Sequence, residues 1–165
     1  MRACTAAAAA LLIGLTAPAC AADQPRTEAG CGLVEAADVT ALTGPDTHSG
    51  TTGSVARLKE DGETLSCRTT STADERRYVA IEVERHPDPF RLDGRSCNAG
   101  WVYAGTPEAY APACQETTAK GSRTMLVARA GDYLVHVTIG RPDRKWAGDP
   151  EVALAMSDQV KTRLG

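Results

Sequence analysis

Alternation of apolar and polar positions is clearest in "YVAIEVE" (78–84), where Val79, Ile81 and Val83 share one side of an extended chain. Glu82 and Glu84 fall on the opposite side. A period of two residues is typical of a strand with one buried and one solvated face. The pattern therefore predicts a strand here, and two prolines in the following "RHPDPF" end it.

Four more strands follow from similar patterns. "LSCRTTS" (65–71) alternates in the same way, and "CQETTA" (114–119) is β-rich. "TMLVARAGDYLVHVTIG" (124–140) has two β-rich runs around Gly131-Asp132, a pair suited to a type II′ turn. We expect a hairpin there.

Two segments have helical spacing. The first is 34–43, ended by Gly44-Pro45. The second is 149–164, with Asp149 predicted as N-cap and Pro150 in the first turn. Its apolar residues recur every fourth position, at Val152, Met156, Val160 and Leu164.

The order of elements predicts one α+β domain over 31–165, an antiparallel sheet of four to six strands with two helices packed on one face. The other face is expected to be solvated or lined by the long irregular, Gly/Pro-rich stretch 91–113. Residues 47–54, "THSGTTGS", are predicted to form a loop.

The N-terminus has the pattern of a secretory signal peptide, predicted over 1–19. Arg2 supplies a positive charge, and the apolar run 5–15 ends in small residues and Pro18. This run is much shorter than the ~20 residues that span a bilayer.

Cys20 follows that run directly, with Ala19 and Ala17 before it. The pattern favours lipoprotein processing, with a lipid on Cys20 and a flexible tether to residue 30. Pro18 departs from the usual residue at its position. "APA" and "ACA" also fit ordinary signal peptidase, which could remove Cys20. Both pathways stay open at this point.

Composition narrows the function classes. The chain of 165 residues is 42% hydrophobic, enough for one core, and carries a formal net charge of −3. Without a basic cluster it lacks the electrostatic signature of a nucleic-acid-binding protein.

Export predicts oxidised cysteines. Setting aside Cys4 and Cys20, the remaining four allow three pairings. We predict Cys31–Cys67, which joins the first helix to the first strand, and Cys97–Cys114, which closes the irregular stretch. Because no CxxC occurs and the three histidines have no zinc-ligand spacing, we predict no metal and no cofactor.

No motif of nucleophilic or metal-dependent catalysis is present, and we predict no catalytic residues and no enzymatic activity. His136 could act as a general base, but no nucleophile is recognisable near it in sequence. Glu82 and Glu84 are better interpreted as a solvent face than as a glycosidase pair.

The candidate binding site is the loop that the second disulfide would close. In a chain with only 4% aromatic residues, several rings cluster there beside polar side chains. The candidate residues are Asn98, Trp101, Tyr103, Glu108 and Tyr110.

The opening "CGLVEAADVTALTG" (31–44), followed by the cysteine in "LSCRTTS", resembles small actinobacterial exported lipoproteins of unknown function. The chain is also similar to the extracellular sensor domains of certain mycobacterial receptor kinases. The resemblance covers most of 31–164. It implies surface anchoring, a disulfide-stapled α+β domain, and binding or sensing without catalysis.

The sequence thus predicts a lipoprotein on the outer face of the cell membrane. Its partners would be the membrane, through the lipid, and an unidentified protein or small molecule, but not nucleic acid. The alternative is a secreted soluble enzyme or enzyme inhibitor released by ordinary signal peptidase.

Overall fold

The computed structural model describes residues 28–86, 102–103, 113–143 and 148–165. The predicted signal peptide, the lipidation site at Cys20 and most of the tether lie outside these ranges. Those three predictions are therefore not addressed by the fold.

The described chain forms one antiparallel sheet in the order β1-β2-β3-β7-β6-β5-β4. Six strands have six or more residues, and β4 is a two-residue strand at one edge. The strands are β1 (Thr47–Thr52), β2 (Leu65–Ser71), β3 (Tyr78–Arg85), β4 (Val102–Tyr103), β5 (Ala113–Thr118), β6 (Gly121–Ala130) and β7 (Tyr133–Arg141).

The predicted alternation sets the core. Val79, Ile81 and Val83 of β3 are almost fully buried and lie opposite Ile139, Val137 and Val135 of β7, in that order. Because alternate side chains of a strand point to opposite faces, this apolar set covers one face of the sheet. The α+β class and the antiparallel sheet are confirmed.

In the described part of the chain, three α-helices cover that face, not the two predicted: α1 (Ala36–Thr43), α2 (Val55–Asp61) and α3 (Asp149–Leu164). Val39, Leu58 and Met156, one from each helix, join the same core cluster as the strands. The sequence prediction missed α2. It also assigned a loop to 47–54, where β1 pairs along its length with β2.

The backbone of the N-terminal turn explains why glycines flank the cysteine in "GCG" at residues 30–32. Gly30, Cys31 and Gly32 all have positive φ, at 78°, 53° and 73°. Two glycines accept this backbone readily, whereas the cysteine does so against its preference. Val34 also packs where a Gly30 side chain would lie, 2.7 Å from the Cβ position to Cγ2.

The disulfide Cys31–Cys67 joins this turn to β2, as predicted. The Gly30 amide adds a hydrogen bond to Thr69 Oγ1 on the same strand, at 3.1 Å. Cys114 is also disulfide-bonded, but Cys97, its predicted partner, lies outside the described residues. The Cys97–Cys114 pairing therefore stays a prediction.

The start of α3 differs from the expectation. Gly148, with φ of 84°, occupies the N-cap position, and no side chain caps the helix. Asp149, predicted as N-cap, is the first helical residue. Its carboxylate accepts hydrogen bonds from Arg141 and does not cap the amides of the first helical turn.

Candidate functional site

Most of the predicted binding loop lies outside the described residues: Asn98, Trp101, Glu108 and Tyr110. Tyr103 belongs to β4, where only its backbone is described. The binding-loop hypothesis therefore stays a prediction. Among the described residues, polar and charged side chains lie together on the sheet face opposite the helices.

His136 lies on that outer face, beside the two glutamates of β3. Its Nε2 is 3.4 Å from Glu84 Oε1, and both side chains are partly exposed. Glu82 is directly opposite His136 across the strands. Within the described ranges, no three potential ligands among His, Cys, Asp and Glu are grouped to hold a metal ion.

The nearest hydroxyl in this cross-strand row belongs to Ser66, which is opposite Glu82 on β2. Its Oγ is 2.6 Å from Thr52 Oγ1. The histidine, the carboxylates and this hydroxyl thus form polar pairs along an open sheet face. A nucleophile oriented by a base is not formed by these four residues.

A second cross-strand row lies nearer the opposite end of the sheet. Tyr78 of β3 is opposite Gly140 of β7, which is opposite Arg123 of β6. A Cβ on Gly140 would lie 2.1 Å from Tyr78 Cε1, so the ring occupies the space above the glycine. The Arg68 guanidinium is 3.7 Å from the ring centroid. The Tyr78 ring therefore packs between Gly140 of β7 and the guanidinium of Arg68.

This end of the sheet opens into a pocket of about 590 Å³. We call it the arginine pocket. Its walls are the β2–β3 connection, the β5–β6 turn and the adjoining ends of β3, β6 and β7. The lining residues are Glu75, Arg76, Tyr78, Thr118, Ala119, Lys120, Gly121, Ser122, Arg123 and Arg141.

Two of the arginines are held by carboxylates near the surface. Arg76 donates from Nε to Asp74 Oδ1 and from Nη2 to Oδ2, each at 2.8 Å, and these bonds lower the pKa of Asp74. Arg123 donates from Nε to Glu116 Oε2 at 2.9 Å, and this pairing raises the pKa of Arg123. Tyr78 also contributes to raising the pKa of Arg123.

The third arginine, Arg141, is paired with a buried acid. Its Nε donates to both carboxylate oxygens of Asp149, at 2.8 and 2.9 Å, and the Asp149 side chain is only 1% exposed. These bonds raise the pKa of Arg141. The pair ties the end of β7 to the first turn of α3.

Lys120, in the β5–β6 turn, differs from the arginines. Its amide donates to Thr118 Oγ1 at 3.2 Å, but its ammonium has no carboxylate partner among the described residues. The hydroxyl of Ser122, the second residue of β6, donates to the Asp143 carbonyl at 2.8 Å. The pocket therefore offers donors for binding, and its serine is already engaged.

No sequence motif marks the residues of the arginine pocket. The pocket depends on which strands are neighbours in the sheet. That β2, β3, β6 and β7 bring their ends together could not be inferred from local patterns.

Comparison of the chain with protein-family models, with curated proteins and with solved structures gives no significant match. The resemblance to actinobacterial lipoproteins therefore stays a prediction. Among the described helices, none combines the length and the apolar character needed to cross a bilayer.

Proposed function

We propose that this chain is exported and anchored to the outer face of the cell membrane by a lipid on Cys20. Its folded domain would bind a ligand or partner without catalysing a reaction. The arginine pocket is the proposed binding site on the described part of the domain.

The observation that carries the export proposal is the Cys31–Cys67 disulfide. Disulfides persist in oxidising compartments and are rare in the reducing cytosol. Cys114 is oxidised as well. Together with the apolar N-terminal run and the cysteine at its end, this cysteine chemistry supports an extracytoplasmic location.

The binding proposal is supported by the chemistry of the pocket. Guanidinium and ammonium groups bind and orient ligands, and Asp74, Glu116 and Asp149 hold the three guanidinium groups of the pocket in fixed geometry. His136, the histidine considered for general-base catalysis, belongs to a different row of the sheet.

Substitution of Cys20 by alanine should release the protein into the culture medium and abolish metabolic labelling with palmitate. The thiol that carries the lipid is then missing, and two acyl chains are what stable anchoring needs. Labelling and fractionation of an actinobacterial expression host measure both effects.

Cys4→Ala is the matched control, since Cys4 lies within the predicted signal peptide. This variant should be labelled and retained like the unsubstituted protein. If the unsubstituted protein takes up no label and is recovered from the medium, the chain is secreted by ordinary signal peptidase and the anchoring proposal is wrong.

A further inference from the structure

The charges of the arginine pocket are fixed by pairing. Four cationic side chains line it, from Arg76, Lys120, Arg123 and Arg141, and Glu75 is the acidic one. Three carboxylates outside the lining neutralise the three arginines in turn. The pocket would therefore recognise a ligand by the positions of its hydrogen-bond donors and not by a large net positive charge.

The pairing leaves donors on two arginines without a partner among the described residues. Arg76 and Arg141 each use Nε and Nη2 on one carboxylate. Within the described ranges the Nη1 group of neither residue has a hydrogen-bond partner. A guanidinium carries five N–H donors in a rigid plane, so a carboxylate on one edge orients the rest.

Among the four cations of the pocket, Lys120 is the one without a described carboxylate at ion-pair distance. It stands on a tight β5–β6 turn, where Thr118 pairs with Gly121 and the Thr118 hydroxyl donates to the Gly121 carbonyl at 3.2 Å. The backbone at Lys120 is thus fixed by the hydrogen bonds of the Thr118 hydroxyl to the Gly121 carbonyl and the Lys120 amide. Glu75, exposed on the opposing connection, opposes the binding of an anion.

We propose that the arginine pocket binds a small ligand through an oxyanion group, the chemistry shared by phosphate and carboxylate. Lys120 provides the charge, and Arg76 and Arg141 provide oriented N–H donors. This deepens the proposed binding function and rests on it. Binding of the bare anion should be weak, since the remainder of the ligand would contact the Tyr78 wall of the pocket.

The test is a titration of the purified mature protein with sodium phosphate, at an ionic strength held constant with sodium chloride. Amide chemical shifts report the site by nuclear magnetic resonance. Saturable shifts are expected over 118–123 and at Arg76. A parallel titration with acetate distinguishes a phosphate site from one that accepts any oxyanion.

Three variants sharpen the result. Lys120→Gln should weaken phosphate binding about tenfold, the effect of losing one charge-assisted hydrogen bond. Glu75→Gln should tighten it, because a repelling charge is removed. Lys59→Gln is the matched control, since Lys59 is also an exposed lysine but lies on α2, which packs on the other face of the sheet.

The proposal is overturned if neither phosphate nor acetate gives saturable shifts in the pocket, or if Lys120→Gln and Lys59→Gln titrate alike. Such a failure is distinct from failure of the anchoring proposal. Lipid labelling at Cys20 is measured on cells and does not depend on the pocket.

Discussion

Replacing Arg141 with methionine should lower the free energy of unfolding by about 3–5 kcal/mol. The Asp149 carboxylate is 1% exposed and accepts two hydrogen bonds from Arg141 Nε. Methionine preserves much of the side-chain volume but leaves a buried negative charge without its partner. Urea denaturation followed by circular dichroism measures the change.

Arg163→Met is the matched control for this prediction. Arg163 lies in the last turn of the same helix and pairs with Glu35, with side chains 57% and 66% exposed. Loss of such an exposed pair should change stability by about 1 kcal/mol or less. Equal effects of the two substitutions would contradict the structural role assigned to the Arg141–Asp149 pair.

The double substitution Cys31→Ala with Cys67→Ala should lower the free energy of unfolding by roughly 3–4 kcal/mol. The cross-link spans 36 residues of sequence, and its loss enlarges the set of conformations open to the unfolded chain. The urea dependence of the unfolding free energy should also steepen, because a less constrained unfolded chain exposes more surface.

Cys31→Ala alone separates the cross-link from packing. Cys67 is only 2% exposed in the core, and this single variant keeps its sulfur there. If the cross-link dominates, the single and double variants should have similar stability. A loss below about 1 kcal/mol in both would show that the turn at residues 30–32 is held mainly by other contacts, such as the Gly30–Thr69 hydrogen bond.

The central part of the fold could be predicted because its buried positions recur with a regular period along the sequence. β3, the β6–β7 hairpin and α3 each bury a regular apolar set, so their sequences have the period of their structure. The Cys31–Cys67 pairing was also predicted correctly, as a link between the start of the first predicted helix and the first predicted strand.

The elements that were missed bury little. β1 is an edge strand of Thr, Ser, His and Gly with mostly exposed side chains, so it has no apolar alternation. α2 has seven residues and one buried position, Leu58. Its end signals were present: Ser54 caps the helix by accepting a hydrogen bond from the Arg57 amide, and Gly62 ends it in the left-handed conformation.

The arginine pocket could not be predicted for a different reason. Arg141 and Asp149 are eight positions apart, but Arg76 reaches the same pocket from the β2–β3 connection and Lys120 from the β5–β6 turn. Their proximity follows from the strand order β2-β3-β7-β6-β5. Alternation determines which face a side chain occupies, whereas strand order determines its neighbours.

The most direct test of the central proposal is the intact mass of the native mature protein. We expect a chain that begins at Cys20, carries a diacylglycerol or three acyl chains, and lacks two hydrogen atoms for each disulfide. A mass that corresponds to an unmodified chain beginning after Ala21 or Ala22, or to reduced cysteines, would contradict it.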